Sequence, residues 1–280
     1  MEVNLLRADA INYHYTSDRQ ILQDVSLTVQ TRSVTFLLGH NGCGKTTLLE
    51  LLSGVRAMQQ GEVFYRDENL HRLAASVRAQ RVGLVPQIHA PMFAYTVRDV
   101  VMMGRTPYLG FLGTPGRTDA EIVDAAIVRV GLEAFRDRAY TELSGGERQL
   151  TLIARGLAQQ TSVLLLDEPT AHLDPGNQHT VLETIVELAR QDVAFVISSH
   201  NPNSALLYAD QVAVMKAGRI LTRGTPQAVL TEDVLATAYD MAMDVIAEGG
   251  VTRAILPRRT ARHDAQLAAS GVGKNGQRAG

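Results

Sequence analysis

One cysteine stands among 280 residues, so no internal disulfide can form, which fits a reducing compartment. Neither charge is in excess: 27 Lys and Arg face 29 Asp and Glu, a formal net charge of −2. No global field therefore holds the chain to nucleic acid or to anionic lipid. No stretch approaches the ~18 consecutive apolar residues of a membrane span, so any membrane role is expected to be peripheral. The opening residues, MEVNLLRADA, lack the basic start and apolar run of a secretory leader. There is no internal repeat, and no heptad run lies between Gln87 and Ser144, which argues against an inserted long coiled coil. What is present is the composition of a globular protein, 45% hydrophobic and 20% charged, enough for one large domain or two modest ones. The expectation is an intracellular protein without a nucleic-acid partner.

Short β-type runs fill the first third, around Ala10 to Tyr15, Val25 to Gln30, Val34 to Leu38 and Glu62 to Tyr65, on period-2 alternation and β-branched content. VTFLL is apolar throughout, as a strand buried on both faces would be, and ends at Gly39. After Lys45 the period changes to that of a helix, TTLLELLSG, which stops at Gly54. From about residue 89 to 160 the spacing is helical. Apolar runs then return in VLLLD, VAFVIS, QVAVMK and RILTRG, with HTVLETIVELAR between the first two, the alternation of βαβ units and a parallel sheet. KAGR, residues 216–219, reads as a hairpin turn.

Three local patterns carry chemistry. Gly39, Gly44, Lys45 and Thr46 satisfy G-x-x-x-x-G-K-[ST] between a strand and a helix. In such a loop successive backbone N–H groups and the positive helix end surround a phosphate, the lysine reaches the outer phosphates and the hydroxyl can ligate Mg²⁺. In LLLDEP, Asp167 ends a buried strand where its carboxylate can hold Mg²⁺, and Glu168 follows as a candidate general base. In LSGGERQ, residues 143–149, Ser144 is a good helix N-cap, with Glu147 at the capping-box position. The two glycines also free N–H groups for a ligand, so this is either an ordinary capped helix or a second phosphate-binding helix start.

Together these motifs resemble the nucleotide-binding subunits of ABC transporters, from about residue 2 to 247. GHNGCGKTT matches the family's Walker A motif, VLLLDEP its Walker B motif and LSGGERQ its signature. Gln87 in LVPQ matches the Q-loop, AHLD (Ala171 to Asp174) the D-loop, and His200 in ISSHNP the switch histidine. The resemblance implies an α/β fold: a P-loop core with a mostly parallel sheet, an N-terminal antiparallel β subdomain and an inserted helical subdomain. The domain would span 1–250 with helices at approximately 89–160, followed by a 251–280 extension, disordered from about 258.

The same resemblance implies an ATPase whose two copies sandwich two ATP molecules, each joining one Walker A to the other copy's signature. ATP would be held by Tyr15, Gly39, His40, Asn41, Gly42, Cys43, Gly44, Lys45, Thr46, Thr47, Ser144, Gly145, Gly146, Glu147 and Asp174. Tyr13 is a second candidate for the aromatic ring on adenine. Mg²⁺ would be held by Thr46, Gln87 and Asp167, and hydrolysis carried by Glu168, His200 and Gln87. His172 stands where the family often has serine.

Permease subunits would dock near residues 88–116, on the cytoplasmic face of the membrane, with a substrate-binding protein as an indirect partner. TVRDVVMMGRTPYLG resembles importers of iron-siderophore, haem and cobalamin, with a molybdate or tungstate branch; an exporter or a non-transport ATPase is the alternative. Cys43, beside Lys45 at a helix start, is expected to have a lowered pKa and to be alkylated wherever it is exposed.

Overall fold

The structure, a computed structural model, describes residues 4–16, 19–87, 95–110 and 113–258. Its strands are β1 (Asn4–Thr16), β2 (Arg19–Gln30), β3 (Val34–Leu38), β4 (Gln60–Tyr65), β5 (Glu68–Asn69), β6 (Val82–Val85), β7 (Val163–Asp167), β8 (Ala194–Ser199), β9 (Gln211–Lys216), β10 (Arg219–Gly224), β11 (Met243–Glu248) and β12 (Val251–Pro257). The α-helices are α1 (Lys45–Ser53), α2 (Ala75–Arg81), α3 (Val97–Met102), α4 (Arg117–Arg129), α5 (Gly145–Ala158), α6 (Pro175–Gln191), α7 (Pro202–Tyr208), α8 (Pro226–Val229) and α9 (Glu232–Tyr239).

The apolar runs become the centre of a six-stranded sheet ordered β10-β9-β3-β8-β7-β6. Every pairing in it is parallel except the β9–β10 hairpin. All residues of β3, β7 and β8 are buried, which is why they read as unbroken apolar runs and not as alternation. A second, antiparallel sheet, β2-β1-β4-β5, covers one side. Between the sheets lies α1, buried over most of its surface through Leu48, Leu49, Leu51 and Leu52. The other side of the main sheet carries α3 to α6 and a second hydrophobic core. The expected α/β architecture, mostly parallel with an antiparallel β subdomain, is the one present.

Helices α3, α4 and α5 pack around Val97, Val101, Val123, Ile127 and Ile153. The MGRTPY segment does not continue α3 as an α-helix; Met103–Tyr108 is a 3-10 stretch laid against α5. Gly104 permits the approach, because a Cβ there would press into the Arg155 carbonyl of α5. Arg105 then fixes it. Its buried guanidinium donates to the Ala158 carbonyl at 2.8 Å, Gln160 Oε1 at 2.9 Å and Asp119 Oδ1 at 2.8 Å, and stacks 3.9 Å from the Tyr108 ring centroid. A buried cation so fully partnered is expensive to unpair, so this segment is fastened to the end of α5.

At the C-terminal end β11 and β12 pair from Met243↔Pro257 to Glu248↔Val251. Asn203 of α7 grips β12 through Ile255, donating to its carbonyl at 2.9 Å and accepting from its N–H at 2.8 Å. The domain boundary expected at residue 250 thus lies in a turn between paired strands. The disorder expected from about 258 concerns a stretch that, from residue 259, lies outside the described residues.

Gly104→Ala should destabilise the protein by about 1–3 kcal/mol through overpacking against the α5 backbone. Urea denaturation would show it; an unchanged midpoint would mean the two segments are not in tight contact.

Candidate functional site

The site forms where β3, β7 and β8 end side by side. At the end of β3 the loop 39–44 leads into α1, whose N-cap is Gly44. Gly44 sits at φ 107°, and a Cβ on it would meet Leu22 Cδ2 at 2.8 Å, so both the backbone angle and the packing require glycine. No side chain caps this helix. The positive end of α1 and its first backbone N–H groups stand at this loop, the arrangement that receives an anion.

Lys45, the first residue of α1, is only 5% exposed. Its Nζ donates to the carbonyls of Gly39 (2.8 Å) and His40 (3.2 Å) and lies 3.7 Å from Glu168 Oε1. The Thr46 hydroxyl donates to Asp167 Oδ2 at 2.8 Å. Glu168 takes a left-handed backbone conformation, φ 46°, which is uncommon for a non-glycine residue and is held only by its surroundings. Gln87 Nε2 and His200 Nδ1 each lie 3.4 Å from Glu168 Oε2. One carboxylate is thus shared by the expected lysine, glutamine and histidine, and a single cleft is lined by Asn41, Gly42, Gly44, Lys45, Thr46, Thr47, Gln87 and Glu168.

Ser198, absent from the sequence-based set, completes the network. Its hydroxyl donates to Asp167 Oδ1 at 2.5 Å and accepts from the Glu168 N–H at 2.9 Å. It orients both acidic residues at once. The signal was two serines closing an otherwise apolar strand, and its meaning depends on β7 and β8 being neighbours, with Asp167 opposite Ser198.

The remaining expected residues fall into two groups. Tyr15, beside the loop, is 47% exposed and its hydroxyl lies 3.0 Å from Thr47 Oγ1; Tyr13 is buried. Ser144, Gly145, Gly146 and Glu147 stand apart from the phosphate cleft. Ser144 and Glu147 form a reciprocal capping box on α5, 2.7 and 3.2 Å. A Cβ on Gly145 or Gly146 would meet Leu173 or Asn177, so this helix start borders the α6 entrance and not the loop 39–44. Asp174 caps α6, accepting from the Asn177 N–H at 3.0 Å and Nδ2 at 2.6 Å, and the Asn177 N–H in particular holds its carboxyl below the usual carboxylate range. His172 is left-handed at φ 65° and shares a cleft with Gln87, Glu168 and His200.

A family model described as ABC transporter matches residues 22–171. The chain belongs to that family. A hemin import ATP-binding protein of Rhodococcus jostii is 41% identical over 260 residues, 92% of this chain and 87% of that protein. A cobalamin import ATP-binding protein of Halobacterium salinarum is 40% identical over 245 residues, 86% of this chain; the chain spans 61% of that relative's length. Among solved structures, an inward-facing ABC transporter assigned to the metal-chelate type matches with a TM-score of 0.80 at 28% identity, over 92% of this chain and 99% of that one. ABC transporter cassettes bind nucleotide.

Cys43 corrects an expectation. The residue lies in the phosphate loop, but its side chain turns inward and is 1% exposed. A Cβ on Gly39 would come within 2.7 Å of the sulfur, so the thiol is packed against the loop's own backbone. Burial pushes the thiol pKa up, and this outweighs the opposing pull of Lys45. Adjacency to a cation does not activate a thiol that water cannot reach. Iodoacetamide should therefore label the native protein much more slowly than the urea-unfolded chain, with or without ATP. Equal labelling rates would mean the loop opens in the native state.

Proposed function

We propose that this chain is the ATP-hydrolysing subunit of an importer for a metal chelate, acting as a pair of identical copies docked to a membrane permease. The observation that carries the hydrolytic reading is the convergence of Lys45, Gln87 and His200 on the Glu168 carboxylate at the mouth of the phosphate loop. The loop's backbone N–H groups and Lys45 take the phosphates, with the outer phosphate replacing Glu168 as partner of the lysine. Glu168, released, accepts a proton from a water whose oxygen bonds to the γ-phosphorus as the bond to the bridging oxygen breaks. Gln87 and His200 hold the water and the outer phosphate. Thr46, Asp167 and the Gln87 side chain are hard oxygen donors suited to Mg²⁺, and the Thr46 and Asp167 oxygens already lie 2.8 Å apart. That ion would neutralise charge between the outer phosphates.

The reading as two copies is supported by the position of the signature residues Ser144 to Glu147, which are not among the described residues that line the phosphate cleft. A second copy, head to tail, brings its own signature over the nucleotide. Docking to the permease uses the region of residues 88–116, whose 3-10 segment is pinned to α5 by Arg105. The subunit then sits on the cytoplasmic face of the membrane; among the described residues no helix is long and apolar enough to cross it. The names of the hemin and cobalamin relatives favour import over export and a metal chelate as cargo.

The test uses a tagged Glu168→Gln chain. ATP hydrolysis should fall by about 10²–10⁴-fold with ATP affinity retained, and the chain should bring down a many-helix membrane subunit from native membranes. Undiminished hydrolysis would remove Glu168 as the base, and purification without any membrane subunit would remove the transport reading.

A further inference from the structure

Arg56 belongs to none of the motifs used above. It follows α1, and its guanidinium lies over two rings at once, 4.9 Å from the Tyr15 centroid and 5.4 Å from the Tyr13 centroid. Nη1 donates to the Tyr13 hydroxyl at 3.1 Å and Nε to Glu50 Oε2 at 2.6 Å. Glu50 is itself a residue of α1. Tyr13 meets Tyr15 edge-on, with centroids 5.5 Å apart and planes at 86°. The far end of the Tyr15 ring is tied to Thr47, 3.0 Å from its hydroxyl.

An exposed tyrosine normally turns freely between rotamers, and a ligand that stacks on it must freeze that motion. Tyr15 is already held at its hydroxyl by Thr47, by the Tyr13 ring at right angles to it, and by the Arg56 cation over one face. The cation covers that face, so a flat ligand has only the other. The hydrogen bonds to Glu50 and then Tyr13 raise an already high guanidinium pKa further, so the clamp keeps its charge at any accessible pH.

We propose that Arg56, anchored by Glu50, is a positioning residue for base recognition: it locks the Tyr15 ring so that the opposite face is presented to the adenine of ATP. The proposal rests on the reading of Tyr15 as the adenine platform. It makes no use of the phosphates, and this separates it from a direct electrostatic role for the arginine.

The experiment is calorimetric binding of ATP and of inorganic tripolyphosphate to the full chain and to Arg56→Ala, Arg56→Lys, Tyr15→Ala and the Tyr15→Ala/Arg56→Ala double variant. Arg56→Ala should weaken ATP binding by roughly threefold to tenfold, the range of a cation–π contact and an ordered side chain, and leave tripolyphosphate binding unchanged. Arg56→Lys should recover part of the loss, and Arg56→Ala should add nothing once Tyr15 is gone. Equal weakening of both ligands would overturn the proposal in favour of a phosphate or folding role. If Tyr15→Ala weakens ATP binding and Arg56→Ala does not, the clamp is refuted while the platform stands. If Tyr15→Ala has no effect, the platform fails and the proposal with it.

Discussion

A buried ammonium group needs a negative partner, and the site is organised around that need. Lys45 is nearly sealed from water at the start of α1, where two carbonyl oxygens satisfy part of its hydrogen bonding but none of its charge. Glu168 supplies the countercharge from the end of β7. A nucleotide's outer phosphate offers the same cation more negative charge and more oxygens, so it competes for the lysine and frees the carboxylate. The residue displaced by substrate is the one proposed to activate water. In the proposed mechanism, binding and the arming of the base are one exchange of partners.

That exchange requires three strand ends to be in register. β3 delivers the loop, β7 delivers Asp167 and Glu168, and β8 delivers Ser198 and then His200. Open α/β sheets place ligands at the carboxyl ends of their strands because the loops there converge. Here the convergence is reinforced by hydrogen bonds that cross from strand to strand through Asp167 and Ser198. Away from the centre, Arg105 couples the proposed docking segment to α5, at whose other end lies the capping box of Ser144 and Glu147. One rigid helix thus links the region facing the permease to the residues proposed to close over a partner's nucleotide.

Much of this was legible in the sequence because it is local. The phosphate loop is a short pattern between a strand and a helix, and the central strands announce themselves as unbroken apolar runs. What escaped depends on neighbours distant in the chain. Ser198 matters only because β7 lies beside β8, 31 residues away from Asp167. Arg105 reads as a surface charge until the fold buries it. Cys43 was read from its neighbour Lys45, but the direction of its side chain is set by the core under the loop. β1 is longer than its alternation suggests because register shifts at Ala8 to Tyr13 break the period. The β11–β12 hairpin had a usable signal, Gly249 and Gly250 between two alternating runs, masked by its position next to a basic tail.

The central claim is that each phosphate cleft is half a site, completed by Ser144 and its glycines from a second copy. Sedimentation velocity of the Glu168→Gln chain with Mg²⁺ and ATP, with and without an added Ser144→Arg substitution, tests it most directly. The account predicts an ATP-dependent dimer for the first protein, and for the second an ATP-bound monomer, because the arginine blocks only the partner's face. A monomer in both cases, or loss of ATP binding by the Ser144→Arg monomer, would contradict it.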